Sequence, residues 1–481
     1  MKKGMERLPD DVLLMMMEYF TATDLVTCRL VSKRWGSLAV HPSVWRHRTI
    51  TTHCCNHFVC LVLRLAPCVQ ELRFTFPSRP GVCPLPYATT KCAAETLIVS
   101  VSGKGAAQAA LAIRHQESLG RLKHVLLQTE ELSDSDDVSV VFEVLASMSG
   151  LQLLSVVTTP GGVRFMPRAI LHSSNPTASL RYFRCTLSAG MEEFCKFVFA
   201  GHATTLEKIE LSPKNVSSEL ELDAVDQEYM AMVSLAPLLA GMPNLDHLKC
   251  PLLPGLDALA SCTSLKELLF VVGTSTSMHT AVLSVTTLLR RLTSQLSELT
   301  LLYCSGTRGP TDVGLHLVEA LTSGRPVLEA LSISNLAFKE LEYLPQLETL
   351  LTSLPLLPAL RHLAVDVVPD ELLRAITPNT APALQSFLVK DRHRCAHSWL
   401  HRDTLQSFLL RNPSLHVVVR FQSTKCEDSP CETCLLDCHH LLRSTTLAGF
   451  FSHDADKCSS PEDHSSTKSI LWIHVSSMEV C

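Results

Sequence analysis

The sequence predicts an α/β fold, with a three-helix module at the N-terminus followed by a curved solenoid of strand–helix units. Three observations carry this prediction. Residues Leu8 to Arg46 contain helix start signals ahead of apolar stripes. From Val69 onward, apolar residues recur at positions 0, 3 and 5 of successive segments. Between these recurrences lie stretches with helical periodicity.

In the N-terminal stretch, Pro9 followed by Asp10 and Asp11 places a φ-restricted residue and two carboxylates where a helix N-terminus favours them. This predicts a helix from Asp10 to Phe20. Its residues Val12, Met16, Tyr19 and Phe20 recur at three- and four-residue steps, and Leu13, Leu14, Met15 and Met17 widen the stripe. Thr23 and Asp24 offer the cap of a second helix, in which Leu25, Cys28, Ser32 and Trp35 share one face and Leu30, Val31 and Leu38 a neighbouring one. Gly36 and Pro42 punctuate its end. A unit of about 40 residues buries too little apolar surface to be comfortably stable alone. The surplus leucines and methionines therefore read as half of a protein interface.

The runs LPDDVLL, DLVTCRLVSKRW and LAVHPSVWR resemble an F-box across its whole length, with Leu8, Pro9, Asp24, Leu25, Cys28, Val31, Trp35, Leu38, Pro42 and Trp45 at matching places. The resemblance implies binding of a Skp-type adaptor and, through it, of a cullin-RING ubiquitin ligase. It assigns Leu8, Pro9, Val12, Leu13, Leu25, Leu30, Val31, Trp35 and Trp45 to the adaptor face and its immediate support. Met15 to Met17 depart from the family's usual residues at the first helix.

The boundaries that follow are residues 1–48 for this module, 49–68 for a helical linker containing HFVCLVLRLAPCV, 69–421 for the solenoid and 422–481 for a tail. The 0, 3, 5 pattern begins at Val69, Leu72 and Phe74. It returns at segments starting with Leu122, Leu151, Leu180, Leu206, Leu245, Leu265, Leu296, Leu328, Leu360 and Leu384. Residues at 3 and 5 point inward from a short strand, and the residue at 0 closes the turn leading into it. Helices are predicted over 138–148, 192–199, 231–240, 280–292, 313–321 and 370–376. Each copy resembles the LxxLxL core of a leucine-rich repeat, although the consensus Asn or Cys at position 8 is met plainly only by Cys304. The alternative is a leucine-rich α/β domain in which the spacing arises by chance.

With 481 residues, 46% of them hydrophobic, the chain can bury a large core. A net charge of −5 argues against a large basic surface for nucleic acid or an anionic membrane. The 19 cysteines are odd in number and mostly set in apolar runs, as reduced thiols of a cytoplasmic or nuclear protein are. MKKGMERLPDD reaches acidic residues before any long apolar stretch, unlike a secretory signal. Leu268 to Leu289 lacks formal charge, but its Gly273, His279 and Ser/Thr run make it a buried repeat rather than a membrane span.

No sequence pattern identifies a catalyst, and no cofactor is expected. Cys426, Cys431, Cys434, Cys438, His439 and His440 form the densest ligand group, with Cys431, Cys434, Cys438 and His439 as the zinc candidates. They lack a second well-spaced pair, so thiols in a polar tail are the expectation. His393, Cys395, His397 and His401 read as a solvated basic loop, and Ser102 to Gly105 only echoes a phosphate loop. The Ser-, Cys- and His-rich stretch from Gln422 to Lys468 is expected to lack a fixed fold, whereas ILWIHVSSMEVC is apolar enough either to dock as a strand or to be a short interaction peptide.

Taken together, the chain resembles a substrate-recognition subunit of an SCF-type ubiquitin ligase, with an unidentified protein as its target. The alternative is a non-catalytic scaffold that pairs with the adaptor or another helical partner.

Overall fold

The computed structural model describes residues 8–51, 57–76, 85–102, 105–130, 135–158, 177–187, 191–213, 234–273, 279–303, 314, 316–335, 344–391, 395–421, 432–435, 442, 445–454, 458, 464 and 470–475. They fall into two compact units, one drawn from Met1–Asn215 and Gly241–Asn244, the other from Val216–Ala240 and Leu245–Cys481.

The first unit opens with α1 (Asp10–Glu18), α2 (Ala22–Cys28), α3 (Lys33–Ala39) and the single turn α4 (Pro42–Trp45). Asp10 and Asp11 occupy the first turn of α1, as the start signal implied. The second predicted helix is two helices, because Ser32 takes extended backbone and its hydroxyl caps the Trp35 N–H. The cap of α2 is Thr21 rather than Thr23. Its hydroxyl accepts the Asp24 N–H at 3.2 Å while the Asp24 carboxylate accepts the Thr21 N–H at 3.0 Å, a reciprocal capping box.

Strand β1 (Thr49–Thr51) and α5 (His57–Leu65) occupy the expected linker, so the sheet begins earlier than the repeat pattern indicated. There follow β2 (Cys68–Phe76), α6 (Leu85–Thr89), β3 (Ala93–Ser102), α7 (Ala106–Ser118), β4 (His124–Glu130), α8 (Ser135–Ser147), β5 (Leu153–Thr158), β6 (Tyr182–Leu187), α9 (Met191–His202) and β7 (Lys208–Pro213). Every consecutive strand pair from β1 to β7 is parallel. The register sets position 3 beside position 3 throughout: Leu72, Leu97, Val125, Leu154, Phe183 and Ile209 form one row. β3 is a copy that leucine counting misses, since its position 0 is Ala94.

The second unit holds α10 (Ala236–Ala240), β8 (His247–Pro251), a 3-10 turn at Leu256–Ser261, β9 (Glu267–Val272), α11 (His279–Leu292), β10 (Glu298–Tyr303), α12 (Leu317–Ala320) and β11 (Ala330–Asn335). It continues through α13 (Leu347–Ser353), β12 (His362–Val365), α14 (Asp370–Ala375), β13 (Ser386–Asp391), α15 (Ala396–Leu400), α16 (Asp403–Arg411) and β14 (His416–Phe421). Strands β8 to β14 are again parallel, with Leu248, Leu268, Leu299, Leu331, Leu363, Phe387 and Val417 in one row. The charge-free stretch 268–289 is thus part of a strand and part of a helix. No helix of the described residues is long and apolar enough to cross a membrane.

From β2 to β14 every side chain at positions 3 and 5 of these strands is at most 2% exposed, and Ile50 of β1, beside Leu72, is 6% exposed. Burial this uniform, in matched register, argues against a chance origin of the spacing. The two ladders of parallel strands and connecting helices are consistent with solenoid architecture.

The asparagine ladder of idealised repeats has a partial substitute in polar groups that reach back from the far end of a helix to position 0 of the same repeat. Buried Gln116 of α7 accepts the Ala94 N–H (2.9 Å) and donates to the Cys92 carbonyl (3.1 Å). His202 of α9 accepts the N–H groups of Ser179 and Leu180 at Nδ1, at 3.2 and 3.4 Å. Gln295, just after α11, donates to the carbonyls of Cys262 and Leu265. Each satisfies backbone groups that would otherwise be buried without partners.

Most of the expected tail, over 422–481, lies outside the described residues, but the described part is ordered. It contributes α17 (Glu432–Leu435), β15 (Leu447–Phe451) and β16 (Leu471–His474). β15 pairs with β14 antiparallel, ending the parallel run, and β16 pairs with β15 parallel. The pairing of Leu471–His474 with β15 decides between the two alternatives the sequence left open for this segment. The ordered β15, at LAGFF, corrects the expectation of a tail without fixed fold up to Lys468.

Candidate functional site

The α1–α4 module divides its apolar residues between two faces of α1. Leu13 and Met17, one turn apart, are fully buried, as are Leu25 and, at 1% exposure, Trp45. The Trp45 indole N–H donates to the Ala39 carbonyl at 2.7 Å, which lets a large ring be buried without leaving its polar atom unpaired. Arg48 donates to the carbonyls of Val44, Met17 and Glu18, joining the C-terminal end of α1 to α4. At the other end, Arg34 bridges to the Asp10 carboxylate and to the Leu8 carbonyl, the latter at 2.5 Å. The Thr21 hydroxyl and backbone N–H hold the Asp24 carboxyl below its ordinary pKa. Burial pushes the Cys28 thiol up, so it is a neutral packing group.

A stripe of α1 turned away from that core, and the turn after α2, are each apolar and open. Met15 is 55% exposed, Tyr19 90%, Leu30 86% and Val31 65%. Val12 and Met16 are half-buried, and with Met15 and Tyr19 they form one stripe along α1. Leu30 and Val31 occupy the turn between α2 and α3 and are well exposed among the described residues. Beside Leu30 lies a cleft of about 540 Å³ whose wall includes Arg29, Lys33, Gly36, Arg64 and Leu65. A large aliphatic side chain next to three cationic groups suits a partner that presents an apolar surface edged with carboxylates.

The sequence-assigned residues sort accordingly. Pro9, Leu30 and Val31 are exposed, and Leu8, Val12 and Trp35 are half-buried. Leu13, Leu25 and Trp45 are internal supports rather than surface. Sequence reasoning read the surplus methionines, Met15 among them, as part of an interface but named neither Met15 nor Tyr19 on the adaptor face, although their spacing from Val12, at +3 and +7, was the available signal.

Of the metal candidates, Cys431, Cys438 and His439 lie outside the described residues, as do Cys426, His440, His393 and Cys304. Cys434 is buried, with its Sγ 3.7 Å from that of Cys395. His397 is only 1% exposed and its Nε2 lies 3.1 Å from that of His401, which corrects the reading of this stretch as a solvated loop. Outside that segment, His416, His453, Cys458 and His464 converge at the end of β14.

No curated protein matches the chain. Residues 5–51 match the F-box-like family model, a family whose domains generally bind Skp-type adaptors, and the match runs through β1 to its last residue, Thr51. The N-terminal region of this chain is therefore F-box-like, and its open apolar face lies within the matched residues.

Proposed function

We propose that the chain is the substrate-recognition subunit of an SCF-type ubiquitin ligase, acting in the cytoplasm, the nucleus or both. The F-box-like module engages a Skp-type adaptor through Leu8, Pro9, Val12, Leu30, Val31 and Trp35, with Met15 and Tyr19 extending that face. Leu13, Leu25 and Trp45 hold it in shape. The observation that carries this reading is the exposure of Leu30 and Val31 inside a module that a family model identifies as F-box-like. Exposed large hydrophobes in so small a unit are accounted for by a partner that covers them.

On this reading the strand–helix ladders are leucine-rich repeats that present a protein target. Their outward strand positions are the candidates for contact. In the first unit these include Arg73, Ile98 and Leu126 in one row and Thr75, Ser100 and Gln128 in the next, around a recess of about 330 Å³. The chain itself performs no chemistry and uses no cofactor. It raises the effective concentration of a target lysine near a charged conjugating enzyme. Its partners are proteins, with neither nucleic acid nor membrane among them.

The test is a pull-down read by mass spectrometry, comparing the intact chain with a version lacking residues 1–48 and with Leu8→Ala/Pro9→Ala. Adaptor and cullin retained by the intact chain and lost from both variants support the ligase role. Adaptor without cullin favours the second reading, a scaffold.

A further inference from the structure

The end of the second unit gathers three imidazoles and a thiol from segments far apart in sequence. His416 is the first residue of β14. The antiparallel register sets Val417 beside Phe450, so this end of β14 meets the end of β15, and His453 follows two residues on. Cys458 and His464 come from the connection to β16. One ligand atom from each of the four lies within 4.8 Å of every other. His416 Nε2 is 2.8 Å from His464 Nε2 and 3.4 Å from Cys458 Sγ.

We propose that His416, His453, Cys458 and His464 form a structural zinc site that pins the C-terminal strand pair to β14. A tetrahedral ion with bonds of about 2.0–2.1 Å to nitrogen and 2.3 Å to sulfur has ligand edges of about 3.3–3.6 Å. The His416–Cys458 separation of 3.4 Å matches these edges, an ion entering would spread the His416 and His464 nitrogens by about half an ångström, and pairs out toward 4.8 Å would have to close onto it. A Cys-His₃ donor set without carboxylates fits zinc and excludes magnesium and calcium, which take oxygen ligands. Four protein ligands leave no open position, so the role is structural rather than catalytic.

The surroundings suit such an ion. His416 is 1% exposed, and the other three ligands are half-buried. Phe451 stacks on the His464 ring at 4.0 Å, and the edge of Trp472 meets His416 at 5.5 Å, walling the cluster with aromatic surface. Among the described residues, His416 Nδ1 and both His453 ring nitrogens close no hydrogen bond of good distance and angle. The connecting sequence, SHDADKCSSPEDHSSTKS, has little apolar surface to bury, and an ion supplies the folding free energy that such a segment lacks.

The experiment uses the full-length chain, purified without chelator and measured by elemental analysis, then exchanged with cobalt(II). The intact chain is expected to retain zinc and, with cobalt, to show tetrahedral d–d absorption with a thiolate charge-transfer band. Cys458→Ala with His464→Ala is expected to lose one equivalent. Cys458→His, which keeps four ligands and guards against simple misfolding, retains the equivalent but loses the contribution of this thiolate to the band. Absence of metal from the intact chain together with no cobalt uptake overturns the proposal. So does retention of the equivalent by the double variant, a band unchanged in Cys458→His, or a different metal in these four ligands.

Discussion

Arg34 donates from Nε and Nη2 to the same carboxylate oxygen of Asp10, at 2.8 and 2.6 Å, joining the first turn of α3 to the first turn of α1. Both side chains are well exposed, so the pair adds at most about 1 kcal/mol to stability. Its larger effect is on position, because the same guanidinium holds the Leu8 carbonyl beside Pro9. Arg34→Ala is expected to shift the melting temperature by only a few degrees and to weaken adaptor binding about tenfold, measured by calorimetry. Unchanged affinity would separate this bridge from the binding face.

The buried supports behave in the opposite way. Leu25 has no exposed surface, and Leu25→Ala removes packed methyl groups from a small core. A loss of about 2–5 kcal/mol is expected, read as a lower denaturation midpoint, with adaptor binding failing only as the module unfolds.

Gln116→Met preserves volume but leaves the Ala94 N–H and the Cys92 carbonyl without their partner. Orphaning these buried groups is expected to cost about 1–3 kcal/mol. Hydrogen exchange at Ala94 reads the effect locally, and protection equal to that of the parent chain would refute the back-tie between helix and strand.

His202 accepts backbone N–H groups at Nδ1 and is largely buried, and burial holds its pKa below the ordinary value of 6.5. The unfolded chain therefore binds a proton that the folded chain resists. Stability from this group is complete above about pH 6.5 and falls as pH drops toward the lowered folded value. His202→Asn, which keeps an acceptor in place, is expected to flatten the stability profile in that acidic window, as followed by thermal melts across pH.

Gly449 lies under the Trp472 ring, where a Cβ would come within 2.3 Å of the indole. Gly449→Ala is expected to undock β16, seen as a red shift in tryptophan emission and cleavage of the C-terminal segment by trypsin. An unshifted spectrum would contradict the close packing of β15 against Trp472.

Much of this architecture is legible in the sequence because the 0, 3, 5 spacing is a direct image of strand geometry. Leu72 and Phe74, and their counterparts, are buried because a strand turns alternate residues to one side. The spacing fails where chemistry substitutes for size. Ala94 holds position 0 by donating its N–H to the Gln116 side chain, and β14 carries Val417 and Val419 without a leading leucine. The helix boundary at Ser32 was hidden because Leu30 and Val31 continue an apolar period while facing solvent. The imidazole cluster was hidden for a different reason, since only the antiparallel return of β15 brings His453 to His416. Tyr19 shows the limit of periodicity, which places it on a stripe without saying whether that stripe faces the core or a partner.

Isothermal titration of the intact chain with a purified Skp-type adaptor tests the central claim, that the open apolar face of α1 and the Leu30–Val31 turn is completed by that adaptor. The account predicts one-to-one binding by the parent chain. It also predicts a loss of about a hundredfold or more in Leu30→Asp/Val31→Asp, with melting temperature and circular dichroism unchanged because both residues face solvent. Absence of binding by the parent chain, or equal affinity in the double variant, would contradict it.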